Sequence, residues 1–135
     1  MLAATAAFVP SIELIDTRIK DWKIKLCDTI ADNASSAGFV LGPQRVSPKD
    51  VDITAIDAVL TCNGEVVAEG RSDAVLGNPV TAVAWLARKV DAFGVRLRAG
   101  DIVLPGSCTR AIDARPGESF VADFTGLGSV RLSFE

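Results

Sequence analysis

Acid–base chemistry in this chain has to come from carboxylates, lysines, hydroxyls or a metal-bound water, because the sequence contains no histidine. That excludes Ser-His-Asp and Cys-His nucleophilic machinery, and it removes the imidazole ligands of zinc and non-haem iron. Cys27, Cys62 and Cys108 are widely spaced and form no C-x-x-C. A zinc cage or redox pair is therefore not expected, and free thiols in a reducing cytoplasm fit best. Any metal would be a hard, oxygen-liking ion such as Mg²⁺ or Mn²⁺.

Four groups stand out by type and spacing. Glu13 lies inside "SIELIDTR", a strand-like run in which Ile12 and Leu14 share one face while Glu13 shares the other with Ile15. Such an acid is either a surface carboxylate, solvated or paired near Asp16 and Arg18, or one kept in an enclosed site for its charge. "DTIADNASS" gathers Asp28, Asp32, Asn33, Ser35 and Ser36. These residue types cap helices and make turns as readily as they bind a small polar ligand. "LPGSCTR" places Ser107 and Thr109 after an apolar run, where backbone N–H groups and hydroxyls either hold a carboxylate or simply turn the chain. Lys20, Lys23 and Lys25, set around Trp22 and Ile24, read as one solvated face of a strand.

The elements that would position these groups are mostly strands. "VDITAIDAVLTCNGEVVAEG" reads as a long hairpin turning at Asn63-Gly64, both of which tolerate positive φ. "GNPVTAVAWLARKVDAFG" reads as a helix, with Asn78 as N-cap, Pro79 at the first position and Gly94 as the stop. Its apolar residues Val80, Val83, Ala84, Ala87, Val90 and Phe93 recur at helical spacing. "DIVLPGS", "SFVADF" and "SVRLSFE" read as short strands, and a helical turn is expected near Asp28 to Ser35. The fold class is α+β, a mostly antiparallel β roll or curved sheet with one central helix.

With 135 residues, 49% of them apolar, the sequence suits one domain spanning 1–135 with room for a core. A net charge of −3 without a basic block gives a nucleic-acid or anionic-membrane partner no electrostatic support. No apolar run is long enough for a membrane span. The opening "MLAATAAFVP" lacks a basic region and reads as the tail of a helix instead of a signal peptide.

The stretch "SIELIDTRIKDWKIKLCDTIADNASSAGFVLG" closely resembles the 2-keto-4-pentenoate (2-hydroxypenta-2,4-dienoate) hydratases of meta-cleavage pathways. "LGNPVTAVAWLARKV", "LRAGDIVLPGSCTRAI", "RPGESFVADF" and "GLGSV" continue the same pattern in the same order to the C-terminus. The wider group is the fumarylacetoacetate-hydrolase-like superfamily, which also includes 4-oxalocrotonate decarboxylase.

The resemblance implies a Mg²⁺ or Mn²⁺ held by three carboxylates, two from an upstream E-x-E pair and one from a P-x-x-E-[IL]-x-[DN]-x-R segment. Pro10 and Glu13 to Arg18 match that segment, which implies that Glu13 is the third metal ligand. The cation would offset the cost of desolvating this carboxylate. Within that site Ser35 and Ser36 are candidates for catalytic hydrogen bonds, and Ser107 and Thr109 for binding a 2-oxo or 2-hydroxy-dienoate substrate.

Members of this family are about twice as long, and their other half carries the E-x-E pair and a lysine thought to serve proton transfer. This sequence has no E-x-E; its one acidic pair at that spacing is Asp50 and Asp52. The expectation is therefore a C-terminal portion of a hydratase, whether a truncated reading frame, a remnant or an excised piece. The implied activity is hydration of 2-hydroxypenta-2,4-dienoate to 4-hydroxy-2-oxopentanoate by a homo-oligomer. The alternatives are a 4-oxalocrotonate decarboxylase-like lyase and a non-catalytic oligomerisation module.

Overall fold

Asn63 and Gly64 hold φ angles of 50° and 89°, the two positive values that a type I′ turn requires. They join β3 (Asp57–Cys62) to β4 (Glu65–Arg71) in the antiparallel hairpin that the Asn-Gly pair predicts. β5 (Ser119–Phe124) pairs with the other side of β3, and β6 (Gly128–Ser133) pairs with β5. The sheet runs β4-β3-β5-β6 with every neighbour antiparallel. A second sheet has two antiparallel strands, β1 (Ser11–Ile15) and β2 (Ser36–Leu41), with Glu13 opposite Phe39. The structure, a computed structural model, describes residues 1–135.

The core sits on the four-stranded sheet. Ala58, Ala68, Phe120, Ala122 and Val130 are buried there, with Ile56 and Leu127 beside them. The Phe120 and Phe134 rings meet edge to face, with centroids 5.9 Å apart and planes at 86°. Along the last strand and its continuation, Val130, Leu132 and Phe134 are more buried than Arg131, Ser133 and Glu135, as the alternation predicts. Gly42 lets the small sheet lie against the large one. A Cβ there would sit 2.6 Å from the Ser129 carbonyl oxygen and 2.7 Å from the buried Pro10 ring.

Two helices complete the elements. α1 (Leu26–Ala31) begins where the Lys25 N–H donates to the Asp28 carboxylate at 2.9 Å, so the capping reading of this cluster holds for Asp28. α2 (Pro79–Asp91) starts as the sequence predicts, with Asn78 Oδ1 accepting from the Val80 N–H at 2.8 Å and Pro79 buried at the first position. Gly94, at φ 72°, donates its N–H to the Asp91 carbonyl at 2.9 Å and ends the helix. The apolar stripe reaches less far than its spacing suggests, because Phe93 lies beyond the last turn and is 84% exposed.

Three expectations are corrected. "DIVLPGS" forms no strand; residues 102–114 make no backbone-to-backbone hydrogen bond, so no ladder exists for them to join. Lys20–Trp22 is a 3-10 turn with Asp21 and Trp22 at φ 58° and 54°, so Lys20, Lys23 and Lys25 share no strand face. The opening residues form a single 3-10 turn, Leu2–Ala4.

The chain leaves much of itself uncovered. A compact protein of 14.2 kDa exposes about 6,800 Å² by size scaling, whereas this chain exposes 9096 Å² and buries 11 of its 135 residues. Along α2 the one buried residue is Pro79. No helix is long and apolar enough to cross a membrane.

Candidate active site

β1 is short because its next residues leave the ladder. The register slips between Leu14 and Ile15, Ile15 pairs with Ser36, and the Asp16 N–H donates to the Ser35 carbonyl at 2.9 Å. Glu13 is held within the regular part of the strand, half-buried, and it lines a cavity of 1510 Å³. Ser107 and Thr109 line the same cavity. Of its 52 lining residues 35 are hydrophobic, so it is chiefly an apolar groove with a few polar groups set into it. It is also larger than the ~300–1,000 Å³ usual for a small-molecule site.

Ser107 and Thr109 belong to a strap, residues 97–114, that crosses β4. The crossing is close: a Cβ on Gly70 would lie 2.0 Å from the Cys108 carbonyl oxygen. Gly106, at φ 118°, makes the turn that an L side chain would strain. Ser107 Oγ donates to the Thr109 carbonyl at 2.9 Å and accepts from the Thr109 N–H at 3.2 Å. The turn thus satisfies much of its own hydrogen bonding. Burial pushes the neighbouring Cys108 thiol up, away from the reactive thiolate.

Ser35 and Ser36 stand beside the cavity and not in its wall. Neither lines the cavity itself, but Ile15, which pairs with Ser36, Asp16, which bonds to Ser35, and Ala37 all do; Ser35 is buried and Ser36 half-buried. Asn33, Ala34 and Ser35 follow one another at φ 51°, 55° and 61°, a left-handed run that costs ~1–3 kcal/mol per residue unless its surroundings hold it.

Arg18 and Asp32 supply that hold. Arg18 Nε pairs with Asp32 Oδ1, and its Nη2 donates to the Asp32 carbonyl at 2.6 Å. Its Nη1 donates to the Asp16 carbonyl at 2.8 Å. Asp32 Oδ2 accepts from Thr17 Oγ1 at 3.0 Å and from the Arg18 N–H at 3.2 Å. Burial acts to raise the Asp32 pKa, but the hydrogen bonds from Arg18 and Thr17 outweigh it and hold the carboxyl below its ordinary value. Residue types alone grouped Asp32 with possible caps; the long reach of Arg18 across 14 positions carries no local signal.

Asp16, Asp101 and Asp113 line the cavity along with Glu13, yet no three acids or cysteines converge to hold a metal ion. Mg²⁺ surrenders its waters reluctantly and needs several oxygen ligands in strict geometry. This chain's own residues therefore do not build a complete cation site. Glu13 is at most one ligand of one.

The sequence matches the fumarylacetoacetate (FAA) hydrolase C-terminal family over residues 5–135, and the chain belongs to that family. It is similar to the 2-keto-4-pentenoate hydratase of Paraburkholderia phymatum, 47% identical over 134 residues that cover 99% of this chain and 51% of that protein. The 2-keto-4-pentenoate hydratase of Burkholderia vietnamiensis is 46% identical over the same shares of the two chains. Among solved structures, 4-oxalocrotonate decarboxylase from Pseudomonas putida G7, complexed with magnesium and adipate, aligns with a TM-score of 0.95 at 36% identity. That match covers 99% of this chain and 51% of the decarboxylase. The chain spans about half the length of the curated relatives it matches.

Proposed function

We propose that residues 1–135 form one domain, the C-terminal portion of a metal-dependent hydro-lyase of the cytoplasm. Its substrate would be 2-hydroxypenta-2,4-dienoate, hydrated to 4-hydroxy-2-oxopentanoate in the breakdown of aromatic compounds. The observation that carries this reading is Glu13 on β1 lining one cavity with Ser107 and Thr109. The hydratase relatives at 46% and 47% identity support the reaction class.

The chemistry is proton movement across a conjugated system. Protonation of the terminal carbon turns the dienol into a conjugated 2-oxo acid, and water then adds to the alkene carbon remote from the ketone. Within this chain, the Ser107–Thr109 turn offers N–H and hydroxyl groups to the substrate carboxylate. Ser35 and Ser36 are proposed for the attacking water, reached from beside Ile15 and Asp16. A Mg²⁺ or Mn²⁺ ion would need further ligands from outside these residues, with Glu13 as one donor among them. Homo-oligomerisation, which the resemblance implies, would act between units that already have those ligands.

The second reading is decarboxylation, favoured by the backbone match to 4-oxalocrotonate decarboxylase. One experiment separates the two. The chain is supplied with the half of a relative that it does not match, then assayed for loss of dienoate absorbance and for CO₂ release from 4-oxalocrotonate. Loss of absorbance without CO₂ is the expected result. CO₂ release alone would establish the decarboxylase, and no turnover of either substrate would leave the non-catalytic module.

A further inference from the structure

We propose that Arg18 is a positioning residue for the reaction: its guanidinium fixes the β-bulge that turns Ser36 onto the face of the β1–β2 sheet that carries Glu13. The proposal rests on the reading above in which Ser36 serves the attacking water. It assigns to Arg18 the strand register on which that role depends.

The ladder shows what the bulge does. Ser11 pairs with Leu41, Ile12 with Val40, Glu13 with Phe39 and Leu14 with Gly38. Continued without interruption, the same register would set Ile15 opposite Ala37 and Asp16 opposite Ser36. Instead Ile15 pairs with Ser36, and Ala37 becomes the extra residue of a bulge on β2. Residues directly opposite one another in an antiparallel pair carry their side chains on one face, and alternate residues of a strand share that face. Ser36 therefore joins Ile15 and Glu13. In the uninterrupted register it would join Leu14 and Asp16 on the reverse face, because a slip of one residue carries a side chain across the sheet.

The Arg18 guanidinium brackets this pair from both strands. Its Nη1 donates to the carbonyl of Asp16, the residue after Ile15, at 2.8 Å. Nη1 and Nη2 both reach the Ser36 carbonyl, each at 3.4 Å. Nη2 also donates to the Asp32 carbonyl at 2.6 Å, and Nε pairs with the Asp32 carboxylate. One planar group thus ties the end of β1, the end of α1 and the start of β2 to a single geometry. The Asp16 N–H, donating to the Ser35 carbonyl at 2.9 Å, closes the same corner.

Two further observations give the clamp a role in the site. Arg18 is absent from the groove lining, so it acts through other residues and not on a ligand. Of Ser36 it takes only the carbonyl, which leaves the hydroxyl for a water or substrate. A lysine could not replace it, since an ammonium is a point charge without the planar fork that spans these acceptors.

The test is Arg18→Lys, alone and combined with deletion of Ala37. Removing the extra residue makes Ser36 the next partner of Ile15 in an uninterrupted ladder, so its face is regained without the arginine. Cross-strand nuclear Overhauser contacts read the register in the 135-residue chain. Arg18→Lys should replace the Ile15–Ser36 contact by an Ile15–Ala37 contact, and the deletion should restore Ile15–Ser36. Turnover is read on the chain joined to the unmatched half of a relative. There Arg18→Lys should lower kcat at least about tenfold with KM within about threefold, and the deletion should recover most of that loss. An arginine needed only for stability would give no such recovery. Persistence of the Ile15–Ser36 contact in Arg18→Lys would overturn the proposal, as would a loss of kcat that the deletion does not relieve. Should Arg18→Lys alone not fold, the combined variant decides: the Ile15–Ser36 contact there supports the proposal, and its absence overturns it. Ser36→Ala keeps the two readings apart. Unchanged kcat in that variant would sink the reaction role of Ser36, while the contacts still decide whether Arg18 sets the register.

Discussion

The hairpin sheet and the strap that crosses it are built from similar residues and end in opposite states. β3 and β5 are paired along their full lengths, and their inward side chains form the core. The strap holds Ile102, Val103 and Leu104, as apolar as any strand, and from residue 102 to 114 its backbone pairs with no other backbone. In the sheet, a turn of the right chemistry brings neighbouring strands together within a few residues, so local preference and tertiary pairing agree. The strap's preference is equally clear, but nothing within the chain satisfies it. Strand propensity describes fitness for a pleated surface and does not provide one.

Substitutions can break or sharpen this contrast. The largest effect is expected in the sheet. Phe120→Ala removes a buried ring and its edge-to-face contact with Phe134, and should cost ~3–5 kcal/mol in denaturant unfolding. Gly70→Ala comes next, because its Cβ cannot coexist with the Cys108 carbonyl. It should cost ~1–3 kcal/mol as overpacking, with hydrogen exchange changing most in the strap. Equal changes along β4 and the strap would show that the two regions are not separable there.

Asn78→Ala removes the α2 cap and should cost ~1 kcal/mol, seen as lost helicity and a lower midpoint. Ala34→Gly should instead stabilise the chain by up to ~1 kcal/mol, since glycine accepts the φ of 55° without strain. The smallest effect is electrostatic. The Asp32 carboxyl has a lower pKa folded than unfolded, so its ionised form favours the native state. That contribution is present above the unfolded value near 3.8 and is lost as pH falls through the lower folded value. Asp32→Asn should therefore flatten the acid limb of the stability–pH profile and leave its slope near neutrality unchanged.

Much of the fold was legible because its signals are local. Asn63-Gly64 specifies its own turn, Asn78-Pro79 its own helix start, and the alternation of Val130, Leu132 and Phe134 its own buried face. The strap was not legible, since a strand needs a neighbour and the sequence of one segment cannot say whether one is present. At the candidate site, Glu13, Ser107 and Thr109 are among the 52 residues that line one large groove, a shared lining set by the whole topology. Ser35 and Ser36 were grouped with them, yet they are not in its lining and stand behind Ile15 and Asp16, which are. The clamp of Arg18 on Asp32 was missed because it joins segments that only the β1–β2 pairing brings together.

The central claim is that Glu13 is one ligand of a cation site completed from outside these residues. Its most direct test is a Mn²⁺ titration followed by electron paramagnetic resonance, on the chain alone and on the chain joined by the unmatched half of a relative. The account predicts no site-specific binding by the chain alone, specific binding by the combination, and at least about tenfold weaker binding after Glu13→Ala. Equal affinity of the Glu13→Ala combination would contradict it.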